Sequence, residues 1–249
     1  MAQRESFKSN NSSKWALILV GGFGTRLQSI LPNLPKVLAP IGERCFLDYQ
    51  LDYVKSQGIN TVILCTGYLS DQIKLHTGTG EKAGLKVYYS EEEEPLDTAG
   101  AIRKACEAFD LPETFFALNG DTYVRWNSHR MYSALVVPHT DLVMTLVRAS
   151  TGAMGNVELG ENSQVTRFVE KEVLVENGFA NAGVYLIRRD IVKSWPPGRL
   201  SIEYDCLPSM GTKGAIQGVV IDSPLYDIGT PEGLQAFEKA LSEIESRGT

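Results

Sequence analysis

The sequence predicts an α/β protein with a mixed, mostly parallel central sheet flanked by helices. Three observations carry this. Short apolar runs alternate with segments of helical spacing through the first half, as right-handed strand–helix–strand crossovers require. The runs over 14–20 and 61–66 are apolar, which marks buried strands, whereas residues 85–90 alternate. The second half holds further strand candidates with few long helices between them, so the sheet there turns mixed.

The elements follow in order. Residues 14–20 (KWALILV) form a buried strand that ends in Gly-Gly. Residues 45–57 carry Leu47, Leu51 and Val54 at helical spacing, and Gly58 stops that helix. Thr61–Thr66 is a second buried strand, and residues 70–75 form a short helix with Ser70 as its N-cap. A strand over 85–90, a helix over 99–109 and a strand over 114–118 complete the first half. Beyond it, strands are expected over 142–147, 157–159, 165–169, 182–187 and 215–221. A last helix over 231–245 places Leu234, Phe237, Leu241 and Ile244 on one face, so it docks on the body. Residues 1–13 are expected to be a disordered tail, and 14–249 one domain. Its nucleotide-binding half spans about 14–125 and its sugar-phosphate half about 126–249.

The chain has 249 residues, 43% of them hydrophobic, enough for one large core. A formal net charge of −6 argues against a nucleic-acid polymer or a membrane surface as the main partner. No apolar run reaches the roughly 20 residues that span a bilayer, so a cytoplasmic protein is expected. Cys45, Cys65, Cys106 and Cys206 include no C-x-x-C pair; they read as reduced core residues rather than disulfides or metal ligands.

The densest chemical signal is residues 19–40, LVGGFGTRLQSILPNLPKVLAP. Gly21, Gly22 and Gly24 let backbone N–H groups approach phosphate oxygens, with Thr25 beside them; Arg26 and Lys36 supply two cations. No Gly-Lys-Ser/Thr follows, and Leu27 stands where a dinucleotide fingerprint needs its third glycine.

Four further clusters sit where α/β sheets bind ligands, beyond the carboxyl ends of strands. Asn119-Gly120-Asp121 ends an apolar strand; it reads as a plain turn or as a carriage for a carboxylate that holds Mg²⁺. Glu170-Lys171 reads as a surface pair or as a carboxylate and ammonium for a sugar phosphate. Asn181-Ala182-Gly183 is a strand entry with a close approach, or a sugar contact. In Tyr226-Asp227-Ile228-Gly229-Thr230-Pro231 the helix cap explains Thr230 and Pro231 but not Asp227.

In this order and spacing the motifs resemble the sugar-1-phosphate nucleotidyltransferases (nucleoside-diphosphate-sugar pyrophosphorylases) over residues of about 15 to 245. The signature Gly-Gly-x-Gly-Thr-Arg-Leu then Pro-Lys-x-x-x-Pro is met by residues 21–27 and 35–40, with Val37 at a position that is usually Pro. The resemblance implies a Rossmann-like nucleotide-diphospho-sugar transferase fold. It implies that Arg26 contacts the β- and γ-phosphates, that Lys36 binds phosphate at the reacting centre, and that Asp121 and Asp227 hold Mg²⁺. It also implies that Lys171 binds the sugar phosphate, Glu170 and Asn181 its hydroxyls, and that Gly155 lets backbone approach the sugar. Residues 94–100 match the base-reading loop, which assigns Glu94, Asp97 and Thr98 to the nucleotide, as the resemblance also does Gly120; Asp97 stands where the family usually has Gly. Residues 36–41, 119–122 and 201–205 look most like D-glycero-α-D-manno-heptose-1-phosphate guanylyltransferases, which implies GTP and a heptose 1-phosphate as substrates. Another nucleotide, or N-acetylmuramate, mannose or glucose 1-phosphate, is the alternative. A homodimer is left open. A sensing module that had lost turnover would be expected to lack Arg26, Lys36 or an aspartate, and all are present.

Overall fold

The computed structural model describes residues 14–28, 30–148, 156–169 and 178–247. In chain order it holds β1 (Trp15–Leu19), β2 (Pro40–Ile41), β3 (Arg44–Cys45), α1 (Phe46–Ser56), β4 (Thr61–Thr66), α2 (Ser70–Thr77), β5 (Lys86–Glu91), α3 (Asp97–Ala108), β6 (Thr114–Asn119) and β7 (Thr122–Tyr123). There follow α4 (Ser128–Leu135), β8 (Leu142–Arg148), β9 (Asn156–Leu159), β10 (Val165–Val169), β11 (Phe179–Arg188), α5 (Arg189–Val192), α6 (Leu207–Thr212), β12 (Ile216–Val220), β13 (Tyr226–Asp227) and α7 (Pro231–Arg247).

Nine strands of the described residues form one sheet. β1 is central, parallel to β4 on one side and to β6 on the other, and β5 extends the parallel block from β4. β11 then runs antiparallel to β6 and to β8, while β12 is parallel to β8 and β9 pairs antiparallel with β10. The parallel half is the part that sequence alternation foretold. Its inner strands are well covered, and every residue of β4 is buried, while the edge strand β5 is exposed at both ends. One core lies on the face of α1, α2 and α4 around Leu47, Leu51, Ile73, Phe116 and Met131. The other lies on the face of α3 and α6 around Leu17, Ile63, Ile102, Phe115 and Met210.

Three details position the site. A short β7–β13 pairing aligns Thr122 with Asp227, and the Ile228 N–H donates to the Asp121 carbonyl at 2.9 Å. This brings two carboxylate-bearing turns, more than a hundred residues apart in sequence, onto one edge. α1 supports that edge from below, because Gln50 Nε2 donates to the Asn119 carbonyl at 2.9 Å and to the Thr122 carbonyl at 3.3 Å. α7 docks Phe237 against Phe46, Tyr49, Tyr123 and Tyr226. The chain after Asp227 is thereby tied down, and Thr230 caps α7 by accepting the Gly233 N–H at 3.1 Å.

Ser70 is not the cap of α2. Leu69 takes that place in a left-handed conformation, with φ +55°, and the Ser70 hydroxyl inside the helix donates instead to Glu91. The α4 helix was not expected. Its sequence cue is Asn127, whose side chain accepts the Arg130 N–H at 3.0 Å, followed by Met131 and Leu135 on one buried face.

Candidate active site

A cavity of about 320 Å³ opens at the carboxyl ends of β1, β4 and β6. Gly21, Gly22, Lys36, Asp97, Thr98, Gly120 and Asp121 all line it. So do Glu92 and Arg199, which carry no local motif. Its lining combines apolar residues, among them the buried Cys65 and Ala101, with polar and charged ones. That combination suits a flat aromatic ring against the apolar residues and charged groups against the polar ones.

Two cation–carboxylate pairs tie Lys36 and Arg26 to Asp121 and Asp227. Lys36 Nζ lies 2.5 Å from Asp121 Oδ2, and both side chains are largely covered, at 15% and 23% exposure. Arg26 Nη2 lies 3.8 Å from Asp227 Oδ2, with both side chains far more open, at 62% and 43%. The loop is packed onto the lysine: a Cβ on Gly24, at φ +60°, would sit 3.2 Å from Lys36 Cβ, and one on Gly22 3.3 Å from Lys36 Nζ. Gly120 is required by sterics, since a Cβ there would collide with the Leu19 carbonyl. Thr25 lies in the turn that follows Gly24 and outside the cavity lining.

Asp121 and Asp227 present hard carboxylate oxygens from adjacent turns, and Mg²⁺ is held through one or two carboxylates together with substrate phosphates. Neither aspartate has a soft ligand among its hydrogen-bond or ion-pair partners. The donor set therefore fits a hard divalent ion.

Asp97 opens α3 at φ +61°, a conformation that glycine adopts freely and that few other residues tolerate. This supplies a backbone reason for glycine at the matching place in the resembled family. Here the aspartate holds the turn: its Oδ1 accepts the Thr98 N–H at 3.0 Å, and its Oδ2 lies 3.6 Å from Arg199 Nε. Glu94 lies away from this cavity, in an adjoining groove with Gly67 and Tyr68; Glu92 takes the place at the cavity wall. Glu92 Oε2 accepts the Leu96 N–H at 2.9 Å, and burial pushes its carboxyl above the ordinary value.

Thr98 connects the cavity to the second half of the chain. Its hydroxyl donates to Glu203 Oε2 at 3.0 Å and accepts the Ile202 N–H at 2.7 Å. Glu203 Oε1 in turn accepts from the Tyr185 hydroxyl at 3.4 Å, and that hydroxyl accepts from Asn181 Nδ2 at 2.6 Å. Asn181 thus reaches the cavity through Tyr185, Glu203 and Thr98 rather than by lining it. It sits where the β11–β8 register shifts, and its Oδ1 accepts the Gly183 N–H at 3.0 Å. Gly155, Glu170 and Lys171 lie outside the described residues.

The profile of the nucleotidyl transferase family matches residues 15–244. The chain belongs to that family. This nucleotidyltransferase is 34% identical over 227 residues to the D-glycero-α-D-manno-heptose 1-phosphate guanylyltransferase of Aneurinibacillus thermoaerophilus, across 91% of this chain and 97% of that protein. It is 32% identical over 221 residues to the mannose-1-phosphate guanylyltransferase of Mycobacterium tuberculosis, covering 87% of this chain and 61% of that one. Among solved structures, HddC from Yersinia pseudotuberculosis superposes with a TM-score of 0.80 at 28% identity, covering 92% of this chain and 99% of that one. HddC has also been solved complexed with GMP-PN. The Rossmann-like nucleotidyltransferase fold is the one the sequence led to expect.

Among the described residues, no helix is long and apolar enough to cross a membrane.

Proposed function

We propose that this nucleotidyltransferase is a sugar-1-phosphate guanylyltransferase, which joins GTP to D-glycero-α-D-manno-heptose 1-phosphate and releases pyrophosphate. The GDP-heptose made in the cytoplasm would serve surface polysaccharide synthesis. The observation that carries the reading is the Lys36–Asp121 pair in the lining of a partly apolar cavity, with Arg26 and Asp227 beside it. The guanylyl preference draws on relatives that act on two different sugars yet share that nucleotidyl group in their names.

The chemistry follows from charge. A phosphate oxygen of the sugar 1-phosphate attacks the α-phosphorus of the triphosphate; the bond from that phosphorus to the bridging oxygen breaks, and pyrophosphate leaves. The nucleophile is already anionic near neutral pH, so no general base is required. The obstacle is the repulsion between two polyanions. Fixed cations offset it and stabilise the charge that grows in the transition state. Lys36 serves the reacting phosphate, Arg26 the departing β- and γ-phosphates, and the loop amides at Gly21, Gly22 and Gly24 the remaining oxygens. Asp121 and Asp227 would hold Mg²⁺, which when bound supplies charge neutralisation at the transferring phosphoryl group. Lys171, Glu170, Asn181 and Gly155 are assigned to the sugar phosphate. Asp97, Thr98 and Glu92 flank the base.

A pyrophosphate-release panel tests this, with four nucleoside triphosphates against heptose, mannose, glucose and N-acetylmuramate 1-phosphates. Turnover is expected with GTP and the heptose 1-phosphate. Turnover confined to UTP would overturn the guanylyl assignment, and turnover confined to mannose 1-phosphate the heptose assignment.

A further inference from the structure

Away from the cavity just described, three side chains of metal-ligating type meet at one point. Cys45 precedes α1, Asp48 lies one turn into it, and His76 is near the end of α2. Cys45 Sγ is 3.2 Å from His76 Nε2, and Asp48 Oδ1 is 2.8 Å from that same nitrogen. One ligand atom from each residue lies within 4.8 Å of the other two.

Both close contacts fall on a single imidazole nitrogen. With Nε2 protonated, the imidazole donates to the Asp48 carboxylate, and the Cys45 thiol interacts with that same carboxylate. A cation between the three atoms would replace these contacts, because thiolate, imidazole and carboxylate can all donate to it.

We propose that Cys45, Asp48 and His76 form a binding site for a thiophilic divalent ion, Zn²⁺. The ligand types match, since Zn²⁺ takes sulfur, imidazole nitrogen and carboxylate oxygen. The spacing matches with little movement. A tetrahedral zinc holds sulfur and nitrogen about 3.6 Å apart, and nitrogen and oxygen about 3.4 Å apart. The present separations therefore need to open by only a few tenths of an ångström. A cavity of about 300 Å³, lined by Asp48, His76 and Asp52, adjoins the cluster and leaves room for a fourth ligand. The buried sulfur here and the all-oxygen carboxylates of Asp121 and Asp227 also divide the metals: a hard ion such as Mg²⁺ does not select a thiolate. The bound ion would tie α2 to α1, the helix whose Gln50 supports the Asn119 and Thr122 carbonyls beside Asp121. Its role is a staple under the active-site edge, independent of the reaction itself.

The test uses reduced, metal-free full-length protein with saturating Mg²⁺ present, titrated with Co²⁺ and then Zn²⁺. One Co²⁺ per chain is expected, with a thiolate-to-cobalt charge-transfer band in the near ultraviolet that Zn²⁺ displaces. Zn²⁺ at about 100 times its Kd should raise Tm by roughly 5–10 °C. His76→Ala removes a partly exposed side chain and should keep the far-ultraviolet circular dichroism of the parent. It should lose the band and the Tm shift, as should Cys45→Ser. Absence of the band in the parent protein would overturn the site. So would a band that survives in Cys45→Ser, or one that survives in His76→Ala.

Discussion

The two cation–carboxylate pairs differ in almost every physical respect. Lys36–Asp121 is short, at 2.5 Å, and mostly covered; Arg26–Asp227 is long, at 3.8 Å, and open. The first is pinned from several sides. Gly22 and Gly24 lie against the lysine, and Gly120 fits Asp121's turn under the Leu19 carbonyl. In the second, Arg26 stands on a loop while Asp227 ends the short β13, and the Gly229 N–H donates to Asp227 Oδ1 at 2.8 Å. A Cβ on Gly229 would come within 2.7 Å of Arg26 Nη2 and 2.8 Å of Asp227 Oδ1. In the function proposed above, the contrast separates two tasks. The preassembled, water-poor pair would act where charge develops, because fixed charges in a desolvated place need no reorganisation. The loose, hydrated pair costs little to separate, which would leave Arg26 free to exchange Asp227 for the phosphates of an arriving nucleotide.

Three substitutions can break or sharpen this contrast. The largest effect is expected from Lys36→Ala. Loss of a preorganised cation at the reacting centre should lower turnover about 10²–10³-fold, or about 2.7–4 kcal/mol of barrier. It should also lower Tm, because Asp121 is left partly buried without its partner. Arg26→Ala should come next, lowering turnover about 10²-fold with Tm unchanged, since exposed pairs contribute little to the fold. Parallel thermal melts and pyrophosphate-release assays measure both quantities. A Tm loss for Arg26→Ala as large as that for Lys36→Ala would erase the distinction between the pairs.

The smallest effect concerns Glu92, whose carboxyl burial holds above its ordinary value of 4.5. A raised folded pKa means that the folded state binds its proton more readily than the unfolded chain. The group therefore destabilises the fold above its folded pKa, and that cost fades as pH falls toward 4.5. Glu92→Gln should accordingly raise Tm at pH 7 and leave it unchanged at pH 4. A fall in Tm at pH 7 would show that the Leu96 N–H needs the charged carboxylate.

The parallel half of the sheet was legible because its inner strands are apolar runs punctuated by glycine and its edge strand alternates, and β4 falls on the expected residues. The cavity-lining glycines and lysine were legible for a related reason: Gly21, Gly22 and Lys36 stand close together in sequence. Glu92, Arg199 and Glu203 had no such signature. Arg199 enters the cavity only because the backbone beyond it folds onto α3, where the Ala99 and Gly100 N–H groups both donate to the Leu200 carbonyl. Glu203 acts through hydrogen bonds to Thr98 and Tyr185, partners 105 and 18 residues away. Such contacts are set by tertiary packing, which periodicity does not encode. In a run of four glutamates, type alone does not say which one lines the cavity: Glu92, just after β5, does, while Glu94 lies in the adjoining groove.

The most direct test is a crystal structure of the protein with a non-hydrolysable GTP analogue and Mg²⁺. The triphosphate should lie along the amides of residues 21–26, with Lys36 on it and Arg26 drawn away from Asp227. A triphosphate bound elsewhere, with both pairs as they are now, would contradict the assignment of this cavity to nucleotidyl transfer.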